Sequence, residues 1–539
     1  MKVSKYMHKP PRYVTASIMC SFGGFLFGID TGIIGPVTVM KDFQQSVGDS
    51  SPTIHGLIVS SILIPAAISS FFAGRLADAL GRQRGIAIGS LIFAIGSALE
   101  AASMHIGMFI TGRIIEGIGE GLYMGTYICE ISPPRYRGAL TSGPQLLTTL
   151  GLMVGFFTCY GTANVESSMS WRLPFVLLSA YSFVFTAISL LLLPPSPRWL
   201  VLRGRTSESA SAWENLDVQA ADREKILDQY DMAVAEVISV PNDSVVVANT
   251  GHPNRNGARA EPSKSKKLQL LDVLSAESRP RLFLAMFLMG MQQLSGIDEA
   301  DIANSLSLFD IELLRFFTLS YYYTNKSQYA PLLFQQAGLS SQQSTFFASG
   351  VSAIVIFAVT IPAIIWADSW GRRTNTIIGG VGMACTMFLM GGLYAGDAVH
   401  ADTGAGRWVV IVSIYIFTVL YCVSWAVGMK LYAAEIQPQK TRASATNIAH
   451  GSNWLANFLV ALVTPTLLAK SSYGAYFMFG GCLILTAAVC CVFMPETRGR
   501  TLDEIDEAFQ GSHLSMLKGS MKTVRKMVSR RMPTVVEAS

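Results

Sequence analysis

The sequence has little charge, and it lacks several features of soluble enzymes and nucleic-acid-binding proteins. Only 14% of its 539 residues are charged, whereas soluble domains contain about 25%. The eight cysteines lie mostly inside apolar stretches without paired metal-ligand spacing, which argues against a disulfide framework or a metal site. The formal net charge is only +5, so nucleic-acid binding is not indicated. We expect no metal, no cofactor and no nucleic-acid partner.

Catalytic constellations are also missing. No nucleophile and base converge in a recognisable motif, so an enzyme is not expected. The glycines in residues 112–121 lie in an apolar helix and indicate close helix packing rather than a nucleotide-binding loop.

Long apolar runs dominate what is present. Hydrophobic residues make up 50% of the chain, and a membrane-spanning helix needs about 20 of them. The runs predict an all-α membrane protein with about twelve transmembrane helices in two six-helix halves. They lie at residues 15–37, 56–76, 84–104, 106–129, 140–161, 171–194, 281–298, 343–367, 374–396, 406–433, 443–469 and 473–494.

Basic residues predict how the chain is oriented. Arginines and lysines concentrate in alternate short loops, so the positive-inside bias places both termini and the central loop in the cytoplasm. The predicted segments are an N-terminal tail (1–14), an N-terminal half (15–194), a central loop (195–280), a C-terminal half (281–494) and a C-terminal tail (495–539).

The two halves repeat each other. The segment at residues 77–82 returns at 367–373, and the segment at 130–137 returns at 435–442. Both pairs fall in equivalent cytoplasmic loops. Internal duplication of a helical membrane protein is typical of secondary transporters.

Several motifs together resemble the sugar porter family of the major facilitator superfamily, in its fungal form. The motifs are FGID at 27–30, GRIIEGIGEG at 112–121, EISPPRYRG at 130–138, PPSPRWL at 194–200, QQLSGID at 292–298, EIQPQKTRA at 435–443, NWLANF at 453–458 and PETRGRTLDEI at 495–505. The resemblance implies the major facilitator fold and a plasma-membrane carrier, working as a monomer, that moves a hexose or a pentose by alternating access.

Four departures from the family's pattern stand out. Ala79 and Ser369 replace an arginine, and Pro195 replaces a glutamate. Lys430 lies where the family has a tryptophan that stacks on the sugar. The stretch from Arg113 to Glu130 is also about three residues shorter than in relatives, which would rotate one end of the fourth helix against the other.

A carboxylate and an arginine lie inside apolar runs. Asp30 lies within the first span and Arg113 within the fourth; buried charges in a membrane need partners. The resemblance implies that they form the proton-coupling pair of a symporter, in which protonation of Asp30 releases Arg113. A static ion pair is the alternative. Glu116 and Glu120 are one and two turns from Arg113 and could compete for it.

The resemblance also implies a substrate site of amides and aromatic rings, because sugar hydroxyls need groups that both donate and accept. The matching positions are Phe27, Gln145, Gln292, Gln293, Asp298, Asn453 and Trp454. Lys430 has three interpretations. It neutralises Asp298, it extends towards Glu435 on the cytoplasmic side, which is the simplest one, or it binds a carboxylate on an acidic sugar or a quinate-like acid.

The paired loops resemble the family's cytoplasmic gate, which would latch the two halves when the protein is open to the outside. Its residues are Asp78, Gly81, Arg82, Glu130, Arg137, Asp368, Gly371, Arg372, Arg373, Glu435 and Arg442. The open alternatives for function are an acidic-sugar carrier, a facilitator without proton coupling, and a sugar sensor that binds without transporting.

Residues 299–328 interrupt the resemblance. The family expects about four residues between Asp298 and Tyr329, and this run carries charges that suit a membrane span poorly. Residues 323–328 can be encoded by a fungal intron branch sequence followed by CAG. We hypothesise a partly translated intron, which a complementary-DNA sequence reading through the run would refute; a genuine external insertion is the alternative.

Overall fold

The computed structural model describes residues 11–38, 40–47, 57–123, 126–133, 136–219, 278–295, 342–366, 370–399, 405–438, 442–471 and 473–498, with the single residues 223 and 509. Within these ranges the chain is helical and contains no strand. Residues 224–277 of the predicted central loop, the anomalous run 299–328 and residues 510–539 of the predicted C-terminal tail lie outside the described residues.

The first half and the segment that follows it contain eleven described helices. They are α1 (Arg12–Thr38), α2 (Lys41–Val47), α3 (Leu63–Leu80), α4 (Arg82–Ala101), α5 (Ile106–Gly121), α6 (Thr126–Ile131), α7 (Arg137–Thr141), α8 (Gly143–Thr162), α9 (Met169–Leu191), α10 (Pro197–Leu202) and α11 (Thr206–Asn215).

The second half contains six described helices. They are α12 (Arg279–Gln293), α13 (Gln342–Trp366), α14 (Arg372–Ala395), α15 (Gly406–Glu435), α16 (Arg442–Lys470) and α17 (Gly474–Phe493).

Every predicted apolar run contains a helix, although two runs differ from expectation. The run 106–129 is divided into α5 and α6, and the run 140–161 is preceded by the short α7. By length and composition, seven helices in the described part of the chain can cross a membrane, at Arg12–Thr38, Leu57–Leu80, Arg82–Ala101, Met169–Leu191, Arg372–Ala395, Trp408–Glu435 and Gly474–Phe493.

Each half has its own apolar core. One cluster of buried side chains runs from Tyr13 to Leu216, and a separate cluster runs from Leu284 to Met494. The halves meet where α3 packs against α16 and where α8 packs against α13. At the first contact, Ile62, Leu63 and Ala461 are buried together. Each half is therefore packed around a core of its own.

Glycines allow the closest helix approaches. Gly24, Gly28 and Gly32 are four residues apart on α1, and each faces a backbone carbonyl of α8 at a distance that leaves no room for a Cβ atom. Small residues at such spacing let helices in a membrane pack backbone to backbone. This packing fixes α1, and therefore Asp30, against the rest of the first half.

Candidate functional site: a charged cluster and the boundary between the halves

Asp30 and Arg113 form a buried ion pair, as the resemblance implies. Arg113 Nη1 donates to Asp30 Oδ1 at 2.5 Å, and both side chains are almost completely buried. The structure also brings in the predicted competitor Glu116, whose Oε2 accepts from the same nitrogen at 3.4 Å.

Glu100 is a member of this cluster that the sequence analysis missed. Its Oε2 lies 4.0 Å from Arg113 Nη1, and its side chain is fully buried. The signal was available, because Glu100 is an acidic residue inside the apolar run 84–104. One carboxyl oxygen from each of Asp30, Glu100 and Glu116 lies within 4.8 Å of the other two, a spacing at which three carboxylates can bind a metal ion. Arg113 already supplies a positive charge to all three.

The close crossing of α4 and α5 assembles the cluster. A Cβ atom at Gly112 would lie 2.6 Å from Cγ of Glu100, and one at Gly119 would lie 2.5 Å from the carbonyl oxygen of Gly89. These glycines let the two helices touch, so that Glu100 on α4 reaches the level of Arg113 on α5. Sequence spacing alone does not place the two residues together.

The predicted substrate amides of the second half lie on two packed helices. Asn453 Nδ2 on α16 donates to Oε1 of Gln292 on α12 at 3.2 Å and to the carbonyl oxygen of Met289 at 2.7 Å. Gln292 Nε2 donates to the carbonyl oxygen of Trp425 on α15 at 2.8 Å. Gln293 is buried beside them on α12. These bonds hold the amide groups in fixed orientations between α12, α15 and α16.

The two predicted aromatic residues meet across the halves. The rings of Phe27 on α1 and Trp454 on α16 are in edge-to-face contact, with centroids 5.4 Å apart. Both side chains are half-buried. Because α1 belongs to the first half and α16 to the second, this contact lies on the boundary between the halves.

The position of Lys430 differs from the simplest of its three predicted orientations. Its Nζ donates to Oε1 of Gln145 at 2.8 Å, so the side chain extends from α15 across to α8 in the other half. It does not extend along its own helix towards Glu435. The charge therefore lies beside a predicted substrate amide, and Gln145 is joined to the opposite half.

The paired loops of the two halves repeat each other at the level of single bonds. In the first half, Glu130 accepts from Arg82 Nε at 3.0 Å and from Ser196 Oγ at 2.5 Å. In the second half, Glu435 accepts from Arg372 Nη2 at 3.3 Å and from Thr497 Oγ1 at 2.9 Å. Each carboxylate therefore joins the helix that begins with the arginine, α4 or α14, to the segment that follows the last long helix of the same half.

Two more predicted gate residues lie in the same loops. Asp78 Oδ1 accepts from Arg82 Nη1 at 3.0 Å. Arg373 Nη2 donates to the carbonyl oxygen of Cys491 at 2.5 Å. The ion pairs described so far join segments of one half, so they tie each loop to its own half.

Glycines at the turns have different surroundings in the two halves. Gly81 has φ +95°, a conformation that favours glycine, and lies beside the Trp199 ring. Gly371 precedes α14, where Glu496 accepts from the backbone N–H groups of Arg372 and Arg373 at 2.7 and 3.2 Å. Pro195 occupies the corresponding position in the first half, so it supplies no such carboxylate to α4.

Some predicted site residues lie outside what the structure describes. Asp298 and Asp368 are among them, as are the side chains of Arg137 and Arg442, whose backbones begin α7 and α16. Their predicted roles remain predictions.

The sequence is similar to known membrane transporters. It matches the profile of the family described as "Sugar (and other) transporter" over residues 16–302 and 307–509. It is 29% identical over 530 residues to "Hexose transporter 2" of Kluyveromyces lactis, covering 93% of this chain and 84% of the relative. It is 28% identical over 519 residues to "Low-affinity glucose transporter HXT3" of Saccharomyces cerevisiae, covering 92% of this chain and 82% of the relative.

The fold is similar to solved structures of a major facilitator protein. The structure described as the proton:xylose symporter XylE bound to 6-bromo-6-deoxy-D-glucose aligns with a TM-score of 0.70 and 22% identity, covering 92% of this chain and 99% of that one. An inward open conformation of the xylose transporter XylE from E. coli aligns with a TM-score of 0.62 and 21% identity, covering 92% and 99%. This likeness confirms the predicted major facilitator fold.

Proposed function

The chain belongs to the Sugar (and other) transporter family, and from that premise we propose that it carries a hexose or a pentose, together with a proton, by alternating access. It is a sugar transporter and not an enzyme, in agreement with its composition. Its relatives are named as hexose and glucose transporters, and its structural neighbour as a proton:xylose symporter.

One observation carries the substrate class: polar and aromatic side chains from both halves converge at their boundary. Phe27 contacts Trp454 there, and Gln145 faces the second half through Lys430. Asn453 and Gln292 lie on the adjacent helices. Aromatic rings cover the C–H faces of a sugar, while amides bind its hydroxyls. A sugar bound between the halves would change its contacts whenever the halves rotate.

The Asp30–Arg113 pair supports proton coupling. An ionised Asp30 holds Arg113, whereas a protonated Asp30 is neutral and releases the guanidinium. Because α1 and α5 carry one member each, protonation loosens the contact between two helices of the first half. Proton binding and rearrangement of that half are thereby linked.

The loop bonds support the gating step of the proposed cycle. The Arg82–Glu130 and Arg372–Glu435 pairs keep each cytoplasmic loop attached to its own half. Each half then moves as one body when the cytoplasmic side opens or closes. We propose that both termini lie in the cytoplasm, because basic residues concentrate in alternate loops. A plasma-membrane location and a monomeric functional unit are what the family resemblance implies.

The test is uptake of labelled glucose and xylose by this chain in a transport-deficient yeast, with and without a protonophore. Proton symport predicts uptake against a gradient that the protonophore abolishes. Asp30→Asn should lose accumulation but keep downhill movement, while Asp42→Asn, a carboxylate in the short helix α2, serves as the control. Uptake that resists the protonophore would show that the protein is a facilitator without proton coupling. Sugar binding without uptake would show that it is a sensor.

A carrier of acidic sugars is the second candidate, and Lys430 favours it. An ammonium group beside Gln145, where the family resemblance implies a neutral tryptophan ring, would bind a carboxylate on a uronic acid or a quinate-like acid. Competition separates the two candidates. A neutral-sugar carrier is inhibited by excess glucose or xylose, whereas an acidic-sugar carrier is inhibited by galacturonate and not by either neutral sugar.

A further inference from the structure

Carboxyl groups outnumber the positive charge around Arg113. Among the described residues, Asp30 faces it from α1, Glu100 from α4, and Glu116 and Glu120 lie on its own helix. The segment before α3 contributes the backbone carbonyl of Val59, 3.5 Å from Nη2. If every carboxyl were ionised, the group would carry a net charge of −3, from four negative charges and one positive charge.

The carboxyl oxygens of this cluster are not equally satisfied. Asp30 accepts the short bond from Arg113. Neither carboxyl oxygen of Glu100 accepts a hydrogen bond, and Oε1 of Glu116 accepts none, although both side chains are 0% exposed. Ionised oxygens without donors or water are strongly unfavourable in a membrane protein interior. Protonation of one carboxyl supplies the missing donor and removes one negative charge.

The geometry favours a proton over a metal ion. The oxygens of Asp30, Glu100 and Glu116 lie within 4.8 Å of one another, a spacing that fits a cation. However, Nη1 of Arg113 lies 2.5, 3.4 and 4.0 Å from oxygens of Asp30, Glu116 and Glu100. A metal ion at the centre would face this guanidinium directly. A proton shared by two carboxyls requires no displacement of the arginine.

We propose that Glu100 and Glu116 form a second proton-binding site, in which one carboxyl is protonated and donates to the other, ionised one. The pair carries one negative charge and is the alternative partner of Arg113. When Asp30 takes up a proton, Arg113 shifts its contact to the pair, which keeps its own proton. The cluster's net charge rises by one and no proton leaves it.

The shift of Arg113 from Asp30 to the Glu100–Glu116 pair rests on the proposed proton symport, whereas the proton held by the pair does not. It gives Glu100 and Glu116 a positioning function, because they hold the guanidinium inside the first half after Asp30 is neutralised. Without them, a released Arg113 would have no buried counterion, and protonation of Asp30 would be opposed.

Infrared spectroscopy of the purified full-length protein tests the resident proton. In D2O at neutral pH, a protonated carboxyl absorbs apart from carboxylates. We expect that absorption in the wild type and its loss or reduction in both Glu100→Gln and Glu116→Gln. The conservative variants Glu100→Asp and Glu116→Asp should retain a shifted band. Glu166→Gln, an exposed carboxyl in the loop after α8, should change nothing.

An unchanged protonated-carboxyl band in both glutamine variants would overturn the proposal. So would a band that sodium or calcium chloride abolishes, since the site would then hold a cation. Size-exclusion profiles identify variants that fail to fold. If the glutamine variants fail to fold, the infrared band of Glu100→Asp and Glu116→Asp tests the proposal instead, and a band that does not shift in either variant would overturn it. In proteoliposomes, the Glu100→Gln, Glu116→Gln double variant should keep downhill sugar exchange and lose accumulation driven by a proton gradient. Wild type without any sugar uptake would refute the proposed function and leave the infrared result standing.

Discussion

Lys430 on α15 donates a hydrogen bond to Gln145 on α8 at 2.8 Å, and so joins the two halves of the molecule. The bond spans 285 residues of sequence. It ties a residue that is unusual for the family to one of the predicted substrate amides. Under the proposed function, the substrate and Lys430 compete for Gln145.

Replacing Lys430 by methionine tests this competition. The substitution removes the donor while keeping an unbranched side chain. A hydrogen bond from a charged donor contributes about 1.5 kcal/mol or more when buried, so the KM for a neutral sugar should fall by up to about tenfold. Uptake of an acidic sugar should be lost. The measurement is concentration-dependent uptake of glucose and galacturonate.

Lys430→Arg is the matched control, because it preserves the positive charge and the donor. It should resemble the wild type in its choice between neutral and acidic sugars. Equal kinetics in wild type and Lys430→Met, for both sugars, would show that Lys430 has no part in substrate selection.

The two loop carboxylates should differ in their effect on stability. Arg82 and Glu130 are 8% and 5% exposed, whereas Arg372 and Glu435 are 10% and 33% exposed. Breaking a buried pair costs about 3–5 kcal/mol, and a more solvated pair contributes less. Glu130→Ala should therefore lower the thermal unfolding temperature in detergent more than Glu435→Ala does. The opposite order would show that burial does not determine how much each ion pair contributes to stability.

Pro195→Glu should stabilise the first half. In the second half, Glu496 accepts from two backbone N–H groups at the start of α14, and Pro195 occupies the related position beside α4. Carboxylates at helix N-termini contribute about 0.5–2 kcal/mol. We expect a higher unfolding temperature for Pro195→Glu, and a lower one for Glu496→Gln. No change in either variant would mean that the two turns do not use capping carboxylates.

Gly112 should tolerate no side chain. A Cβ atom there would lie 2.6 Å from Cγ of Glu100 and 2.9 Å from the carbonyl oxygen of Gly96, so Gly112→Ala forces α4 and α5 apart. Overpacking costs about 1–3 kcal/mol. Gly392 on α14 has nothing within 4 Å of the same atom, and Gly392→Ala should be neutral or slightly stabilising. Folded yield and unfolding temperature of both variants measure the difference.

Much of the site was predictable, because intramembrane charges are rare and each needs a partner. Asp30 and Arg113 were paired on that ground, and their 2.5 Å contact agrees. Glu100 was missed because its partners lie on other helices, and only the glycine-mediated crossing of α4 and α5 brings it to them. The break between α5 and α6 was also missed, since hydropathy continues through residues 122 and 123 while the helix does not.

The repeated loops illustrate a second limit. The sequence repeat predicts that Glu130 and Glu435 are equivalent, and both do bind an arginine and a hydroxyl group. The repeat does not predict that one pair is more deeply buried than the other. Burial depends on the local packing of each half, and the halves have diverged in sequence.

The sequence by itself determined the membrane-spanning class, the duplication and the residue types available for sugar and proton, because hydropathy and motif spacing are local properties of the chain. Tertiary structure alone decided which carboxyls surround Arg113 and where the Lys430 side chain extends. Those outcomes depend on how closely particular helices approach, and each approach is set by small residues far apart in the chain. A long, flexible side chain such as lysine then binds whichever partner the packing places within its reach.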